Sequence, residues 1–479
     1  MRERRLNIVV LVVDSLRAQS LDQADAQRPR TPFLDNLSGA SVAFQRAYAT
    51  ECWTLPAHLS MFTGLLPSEH GAHFQTMTYA RRTPPIAEIL AASGYHTELV
   101  TRNFVFDGTI LGVTRGFQAE SRPLAPLSRA SLIGLFLAFA KPRVRRHIRT
   151  TGFFHPRHSD QRAFVRSFAR SLMPADDLAL GHVLEVMARC RRAQRPYFVF
   201  CNLYDVHAPY PPAARSLLEP WDSVRHAAEN LAFPAHFAKL GQHAYLRSGF
   251  SLSPWGREVL RNRYHRAIAL MDDKLAAFHA AARADSLLDD TLLIVTSDHG
   301  EAFGEHGLYL HDASVYDTHL HVPLWIQSPS LTPAAVEDVV STKELFGVML
   351  AAAGQLPTTG TILNAAHRAA HPYAVAEHFF YPHRADMAAR YRQNLLAVII
   401  GDQKFVVTCD GVDRYDRIRD RDELRPAAAT IEDMIRAVRG SGAVARAIDA
   451  TVTHVREWAN SHRTLGVRRV DQVALPAVA

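Results

Sequence analysis

The sequence predicts an α/β protein with a doubly wound, mostly parallel β-sheet flanked by helices and with a smaller C-terminal α+β subdomain. Two observations support this prediction. Apolar runs of strand length, uninterrupted by polar residues, are typical of parallel strands that are buried on both faces. Segments with helical periodicity separate these runs, and this alternation is typical of a sheet with helices on both sides.

The individual elements follow in chain order. Predicted strands comprise Ile8–Val13, Val42–Arg46, His96–Thr101, Pro196–Tyr204, Thr291–Ser297 and Val322–Gln327. Predicted helices comprise Thr31–Ala40, Pro85–Ser93, Ala175–Arg192, Arg257–Ala284 and Lys343–Ala353. The alternation then weakens, and only two short strands are expected, at Leu395–Ile400 and Lys404–Thr408. We therefore expect a first domain over 1–335, with insertions near 121–165 and 210–256, and a subdomain over 336–479.

Composition places the chain among ordinary globular proteins. It has 479 residues, 48% hydrophobic and 21% charged, with 54 lysines and arginines against 47 acidic residues and a formal net charge of +7. This mild excess, without interleaved basic and aromatic residues, predicts no nucleic-acid-binding module but is compatible with an anionic substrate. The cysteines Cys52, Cys190, Cys201 and Cys409 are too few and too dispersed for a disulfide framework or a zinc site.

Two apolar stretches bear on location. The N-terminal run Ile8–Val13 is short, β-branched and without a small-residue cleavage site. We interpret it as a strand and expect a cytoplasmic protein with no signal peptide or transmembrane helix. Residues 131–149 combine an apolar run with a basic flank. This run is far shorter than the ~20 residues of a spanning helix, which leaves a buried helix or a weak contact with a membrane surface.

The segment Thr54–Gly64 begins with a hydroxyl at a predicted helix start. Pro56 suits the first helical turn and Gly64 suits the residue after the helix end, which places Thr54 just before the helix. Free N–H groups and the positive dipole end make such a helix start an anion site. Thr54 therefore has two interpretations, a capping residue or a nucleophile toward a phosphate or sulfate ester.

Polar side chains follow four of the predicted strands. They are Asp14, Asn103, Asp205 with His207, and Asp298 with His299. Because ligands bind beyond the carboxyl ends of the strands in open α/β sheets, we expect these side chains to lie close together. Carboxylates and an imidazole beside an oxygen nucleophile would suit a hard cation. Each acid alone could equally cap a strand–helix turn.

These residues resemble the sulfatase-like group of the alkaline phosphatase superfamily over most of the chain, from residue 7 to 322, with a weaker similarity to 423. The similar segments are Asn7–Arg17 (first strand and metal aspartate), Thr54–Gly64 with Pro67–Gly71 (nucleophile), Tyr204–Tyr210 (substrate-binding histidine), Thr296–Glu301 with Gly304–Gly307, and Tyr415–Asp416 with Asp420–Glu423 (closing signature). The pair Thr296–Glu301 and Gly304–Gly307 is the most specific match.

The resemblance implies a metal site and a nucleophile. Asp14, Asp298 and His299 would hold one divalent metal ion, which could be calcium, manganese or magnesium, and Thr54 would be a further ligand. Metal coordination would activate the Thr54 hydroxyl, which is weakly nucleophilic at its free pKa. In-line attack would then give a covalent intermediate on Thr54.

The resemblance also implies residues that contact the substrate. His207 would bind the anion or assist the leaving group. His311 lies near the place where the family has a basic residue after the Gly304–Gly307 segment. Asn103 resembles an asparagine that contacts the transferred group, and His58 and Arg17 are weaker substrate-binding candidates.

The chain departs from typical sulfatases at the nucleophile and at the metal. Such enzymes carry a cysteine that is oxidised to formylglycine, whereas alignment on Pro56 places Thr54 at that position and His58 in place of an arginine. The formylglycine hydrate of typical sulfatases can expel sulfate by collapsing to the aldehyde, whereas a sulfo-threonine must be hydrolysed directly. Phosphate esters are therefore the favoured substrates. Ser15 replaces a second metal aspartate, and the spacing of Asp205 and His207 does not fit the two-metal phosphatases, so we expect one ion.

Three hypotheses follow. The first is a metal-dependent hydrolase or transferase of phosphate or sulfate esters that uses Thr54, with phosphate esters favoured. The second is a sulfatase that acts without formylglycine. The third is an inactive binding protein on the same fold.

Overall fold

The computed structural model describes residues 5–123, 175–210, 250–380 and 391–441, apart from 26, 80–82, 107–111 and 312, together with isolated residues between 229 and 240 and residues 388, 453 and 457. The predicted insertions fall largely outside these residues, as does the predicted membrane contact at 131–149. Within the described ranges, no helix has both the length and the apolar composition that a membrane span requires.

The large sheet has eight strands. They are β1 Asn7–Val13, β2 Val42–Tyr48, β3 His96–Thr101, β4 Ala119–Ser121, β5 Tyr197–Leu203, β6 Thr291–Thr296, β7 His321–Gln327 and β8 Ala334–Ser341. Their spatial order is β8–β2–β7–β6–β1–β5–β3–β4. All neighbours are parallel except β7, which is antiparallel to β2 and β6. The predicted doubly wound, mostly parallel sheet is confirmed.

Helices cover both faces of this sheet, and further helices lie elsewhere in the described part of the chain. They are α1 Pro32–Gly39, α2 Thr54–Thr63, α3 Pro67–His70, α4 Ile86–Ala92, α5 Asp176–Arg192, α6 Pro254–Ala284, α7 Asp317–Leu320, α8 Leu345–Ala352, α9 Ala365–Ala370 and α10 Ile431–Gly440. Alternate side chains of β1 enter two cores, because successive residues of a strand face opposite sides. Ile8, Val10 and Val12 share a core with α2, α4 and α8, whereas Val9 and its alternate neighbours share one with α1, α5 and α6.

The reversed direction of β7 has a local cause. Parallel neighbours need a crossover, usually a helix that packs on a sheet face. The described part of the chain between β6 and β7 instead forms a two-residue ladder, Ala302–Phe303 with Tyr309–Leu310, and the four-residue helix α7. The chain therefore re-enters the sheet from the edge that it left.

A second, antiparallel sheet follows in the C-terminal part. Its strands are β9 Tyr373–His378, β10 Leu395–Ile400, β11 Gln403–Val407, β12 Val412–Asp416 and β13 Ala427–Ala429, in that spatial order. Met434 and Val438 of α10 pack in its core. The predicted boundary after residue 335 falls inside β8. We propose that the units meet between residues 355 and 373, which leaves both sheets intact.

Candidate active site

Four strands that neighbour one another, β6, β1, β5 and β3, end at the same edge of the large sheet. Asp14 directly follows β1, Asn103 comes two residues after β3, and Asp298 comes two residues after β6. Position 300, directly after His299, requires a glycine because a Cβ there would lie 2.1 Å from the backbone oxygen of Thr318. The topology thus brings polar residues from distant parts of the chain to one place.

Asp14, Asp298 and His299 form a fully buried cluster, with one donor atom of each within 4.8 Å of the others. His299 Nε2 is 3.5 Å from Asp298 Oδ2 and 3.8 Å from Asp14 Oδ1. His299 Nδ1 is 3.0 Å from the Gly300 carbonyl and donates to it, so the lone pair lies on Nε2. Burial, together with His311, lowers the pKa of His299 well below its usual value, so the imidazole is neutral.

Asp298 has no lysine or arginine as an ion-pair partner among the described residues. Its Oδ1 accepts hydrogen bonds from the backbone N–H groups of Ser15 and His299 at 3.2 and 3.0 Å, whereas its buried Oδ2 has no hydrogen-bond partner among the described residues. Burial and the neighbouring carboxylate of Asp14 raise the pKa of Asp298 well above its usual value. A buried carboxylate stays ionised only when it is paired or binds a metal, and it is otherwise protonated. The residues present therefore fit a divalent metal ion.

Amide and hydroxyl groups orient Asp14. Asn103 Nδ2 and Asn202 Nδ2 donate to its Oδ2 at 2.9 and 3.2 Å, and Ser15 Oγ donates to its Oδ1 at 3.1 Å. Asn103 Oδ1 also accepts from the backbone N–H of Val105 at 3.1 Å, so this side chain is engaged within the protein. Sequence reasoning missed Asn202, although an amide inside the apolar run of β5 was a signal.

Thr54 lies beside the cluster. Its hydroxyl is 3.2 Å from His299 Nε2, and the residue is 2% exposed. The prediction that Thr54 precedes the helix was wrong by one residue. Trp53 is extended (φ −130°, ψ 142°) and is the N-cap, so Thr54 is the first residue of α2 and Pro56 the third. The N–H of Thr54 is still one of the free donors at the helix start.

His58 lies one helical turn after Thr54. It is fully buried, and its Nδ1 donates to the Thr54 carbonyl at 2.7 Å. Its ring contacts the rings of Phe106 and Phe200 at centroid distances of 5.2 and 5.5 Å. Burial lowers the pKa of His58 to about 4, so the ring is neutral at physiological pH. These contacts favour a role in positioning Thr54 over the predicted contact with substrate.

His207 and His311 extend a row of imidazole rings from His299. The centroids of His299 and His311 are 4.4 Å apart, and those of His311 and His207 are 4.7 Å apart. His207 also stacks on Tyr204, and burial and the nearby His311 lower its pKa. His311 Nδ1 is 3.2 Å from Glu301 Oε1. Glu301 was not predicted as a site residue, although it ends the Thr296–Glu301 motif.

Two predicted site residues form ion pairs with other side chains of the chain. Arg17 Nη1 donates to Glu305 Oε1 at 2.7 Å and its Nε to Ser20 Oγ at 2.9 Å, so its guanidinium already has an acidic partner. Asp205 forms ion pairs with Arg102 and, at 2.6 Å, with Lys274. Asp205 was expected at the shared edge with the cation site, and it belongs instead to a separate network of ion pairs.

Comparison with known proteins decides the family. The profile of the family described as Sulfatase matches residues 6–355. The chain belongs to the sulfatase family. A choline-sulfatase of Rhizobium meliloti (strain 1021) is 24% identical to it over 361 residues, which are 72% of this chain and 68% of that protein.

Solved structures of the sulfatase-like fold cover nearly the whole chain. A phosphonate monoester hydrolase of Agrobacterium radiobacter superposes with a TM-score of 0.62 at 20% identity, over 97% of this chain and 96% of that one. A protein in complex with its substrate D-glucosamine-2-N,6-O-disulfate gives 0.65 at 13% identity, over 97% and 100%. The predicted fold is confirmed, and the chain is a sulfatase-like ester hydrolase. The threonine branch and the residue roles stay predictions.

Proposed function

We propose that this sulfatase-family chain is a metal-dependent hydrolase of phosphate or sulfate esters, with phosphate esters favoured, and that Thr54 is its nucleophile. One observation carries the proposal: the Thr54 hydroxyl is 3.2 Å from His299 Nε2, beside a buried cluster with the orphaned Asp298 Oδ2. Cys52 belongs to a different group of side chains, with Glu51 and His378. Thr54 is therefore the better candidate for the position that typical sulfatases fill with formylglycine.

The residues divide the reaction between them. A divalent ion held by Asp14, Asp298 and His299 would supply Lewis acidity that favours ionisation of the Thr54 hydroxyl. Thr54 Oγ then forms a bond to phosphorus or sulfur as the bond to the leaving oxygen breaks. Water then attacks the phosphorus or sulfur of the resulting Thr54 ester, which releases the phosphate or sulfate group and regenerates the Thr54 hydroxyl.

His207 is the proposed donor of a proton to the leaving oxygen. It remains partly accessible, and its ring centroid is 4.7 Å from that of His311, which contacts His299 in turn. Its lowered pKa makes it neutral without substrate. A bound anion acts in the opposite direction and raises that pKa, which makes His207 a better acid when it is needed. His311, oriented by Glu301, is proposed to bind the anion.

The first test compares the chain with Thr54→Ala on chromogenic phosphate monoester, phosphate diester, phosphonate monoester and sulfate ester substrates, with Mn²⁺, Mg²⁺ or Ca²⁺ added in turn. We expect phosphoester turnover that Thr54→Ala abolishes. Mass spectrometry after an acid quench should find a phosphate group on the peptide that contains Thr54. Turnover that survives Thr54→Ala would contradict the assignment, and Thr54→Ser is the matched control.

The second candidate is a sulfatase without formylglycine, which the choline-sulfatase relative favours. It requires faster turnover of the sulfate ester than of any phosphoester in the same assay. The ion stays open among calcium, manganese and magnesium. The cytoplasmic location and the membrane contact at 131–149 stay predictions.

A further inference from the structure

A second cluster of metal-ligand side chains lies outside the proposed active site. Glu51, Cys52 and His378 are all buried, and one donor atom of each lies within 4.8 Å of the others. Cys52 Sγ is 3.3 Å from Glu51 Oε1 and 3.6 Å from His378 Nδ1, and that nitrogen is 2.9 Å from Glu51 Oε1. We propose that these three residues form a structural zinc site.

The separations suit tetrahedral coordination. Zinc binds thiolate sulfur at about 2.3 Å and imidazole nitrogen or carboxylate oxygen at about 2.0 Å, so tetrahedral ligand atoms lie about 3.3–3.6 Å from one another. Both separations that involve Cys52 Sγ fall in this range. The distance of 2.9 Å between His378 Nδ1 and Glu51 Oε1 is shorter than this range, and rotation of the Glu51 carboxylate would lengthen it.

The Glu51 carboxylate favours an ion over a triad held by hydrogen bonds alone. Its Oε1 makes the contacts with Cys52 and His378 and also accepts from the Cys52 backbone N–H at 3.0 Å. Its Oε2 is buried and has no hydrogen-bond partner among the described residues. An unsolvated carboxylate oxygen is costly, and bidentate coordination would engage both oxygens. A divalent ion would also balance one carboxylate and one thiolate.

The type of ligand indicates the metal. Magnesium, calcium and manganese prefer oxygen ligands, whereas a thiolate with an imidazole and a carboxylate is a set that zinc accepts. The active-site cluster of Asp14, Asp298 and His299 contains no sulfur. The chain would thus hold two chemically distinct ions.

The position of the cluster suggests what the ion would do. Glu51 and Cys52 lie between β2 and α2, three and two residues before Thr54, and His378 is the last residue of β9. The backbone N–H of Glu377 already donates to the Thr50 carbonyl at 2.8 Å. An ion here would fasten the start of α2 to the C-terminal sheet. The sequence concealed this site because 326 positions separate Cys52 from His378.

The test uses the full chain, loaded with Co²⁺ or Zn²⁺ after chelation. We expect a thiolate-to-cobalt charge-transfer absorption that Cys52→Ser and His378→Gln abolish. Cys190→Ser, which removes a buried cysteine elsewhere, and Asp298→Asn, which disrupts only the active-site cluster, should keep it. Elemental analysis should show one zinc ion fewer per chain in Cys52→Ser. Loss of the absorption in Cys190→Ser, or its persistence in Cys52→Ser, overturns the proposal.

A second measurement covers the case in which the cluster variants fail to fold. X-ray absorption at the zinc edge of the unsubstituted chain should show a zinc–sulfur distance of about 2.3 Å. A shell of nitrogen and oxygen alone, or no zinc uptake, would mean that Glu51, Cys52 and His378 are only a hydrogen-bonded triad. Neither result depends on the phosphoester activity, so the two proposals can fail separately.

Discussion

Asp205 and Asp298 follow β5 and β6, the strands on either side of β1, and both are buried, at 4% and 0% exposure. Their surroundings differ. Asp205 is paired with Arg102 and Lys274, Arg102 also pairs with Asp176 at 2.8 Å, and Lys274 also pairs with the exposed Asp177 at 3.4 Å. Asp298 lies beside another carboxylate, Asp14, and no lysine or arginine of the described residues forms an ion pair with either.

The difference teaches how to separate structural from functional acids at the end of a strand. A buried carboxylate with its own cationic partners has its charge compensated, and removing it takes a partner from those cations. A buried pair of carboxylates without a cation must either share a proton or bind a metal ion. The sequence pattern is the same in both cases, and the partners that reach the carboxylate decide which case applies.

The largest expected effect is that of Asp298→Asn. We expect kcat/KM to fall on the order of 10³-fold, because several kcal/mol of metal-assisted stabilisation is lost. In the presence of a chelator, the Tm should equal or exceed that of the parent, because asparagine removes the repulsion with Asp14. Steady-state kinetics and thermal melts with EDTA measure both. A parental kcat/KM, or a lower Tm in EDTA, would mean that Asp298 is a structural acid.

Asp205→Asn should show the reverse behaviour. The substitution removes the carboxylate that Arg102 and Lys274 share, and Asp176 and the exposed Asp177 are the acids that stay paired with these two bases. Because Arg102 is buried, we expect the free energy of unfolding to fall by about 3 kcal/mol. The kcat of the folded fraction should stay at the parental value. Urea unfolding and kinetics below the transition test this, and a loss of kcat like that of Asp298→Asn would erase the distinction.

Asn103→Ala should have a smaller effect, on metal affinity. Asn103 orients Asp14 through a hydrogen bond of 2.9 Å, and loss of such a partner typically costs about 10–100-fold in metal affinity. Titration of the metal-free chain with Mn²⁺ measures it, with Asn36→Ala, at an exposed position of α1, as the control. A raised KM at saturating metal with unchanged metal affinity would instead support the substrate contact that the resemblance implies.

The parts of the site that could be predicted are local in sequence. Asp14 and the pair Asp298–His299 directly follow apolar strands, and the sheet order of a doubly wound fold brings their ends together. The spacing of Pro56 and Gly64 located α2 to within one residue. These signals need no knowledge of which side chains meet across the fold.

The parts that could not be predicted depend on contacts between distant segments. The pairing of Arg17 with Glu305 spans 288 positions, and that of Arg102 with Asp205 spans 103. Each pairing gives a predicted participant a charged partner that the sequence pattern does not show. The partnership of Cys52 with His378 was hidden in the same way, since zinc-site spacing rules apply only to ligands close in sequence.

The smallest expected effect tests whether burial keeps a histidine side chain neutral in the folded chain. His319 is fully buried, its Nε2 donates to the Leu310 carbonyl at 2.7 Å, and burial lowers its pKa to about 3. The unfolded chain binds this proton below pH ~6.5 and the folded chain does not, so stability is lost as pH falls. Between pH 7.5 and 5.5 we expect this group to remove about 1 kcal/mol from the free energy of unfolding. Urea unfolding at both pH values should show a smaller decrease in His319→Gln than in the parent. Equal decreases in the two proteins would mean that burial does not keep this imidazole neutral. The argument that burial keeps His299 neutral in the active-site cluster would then be weaker as well.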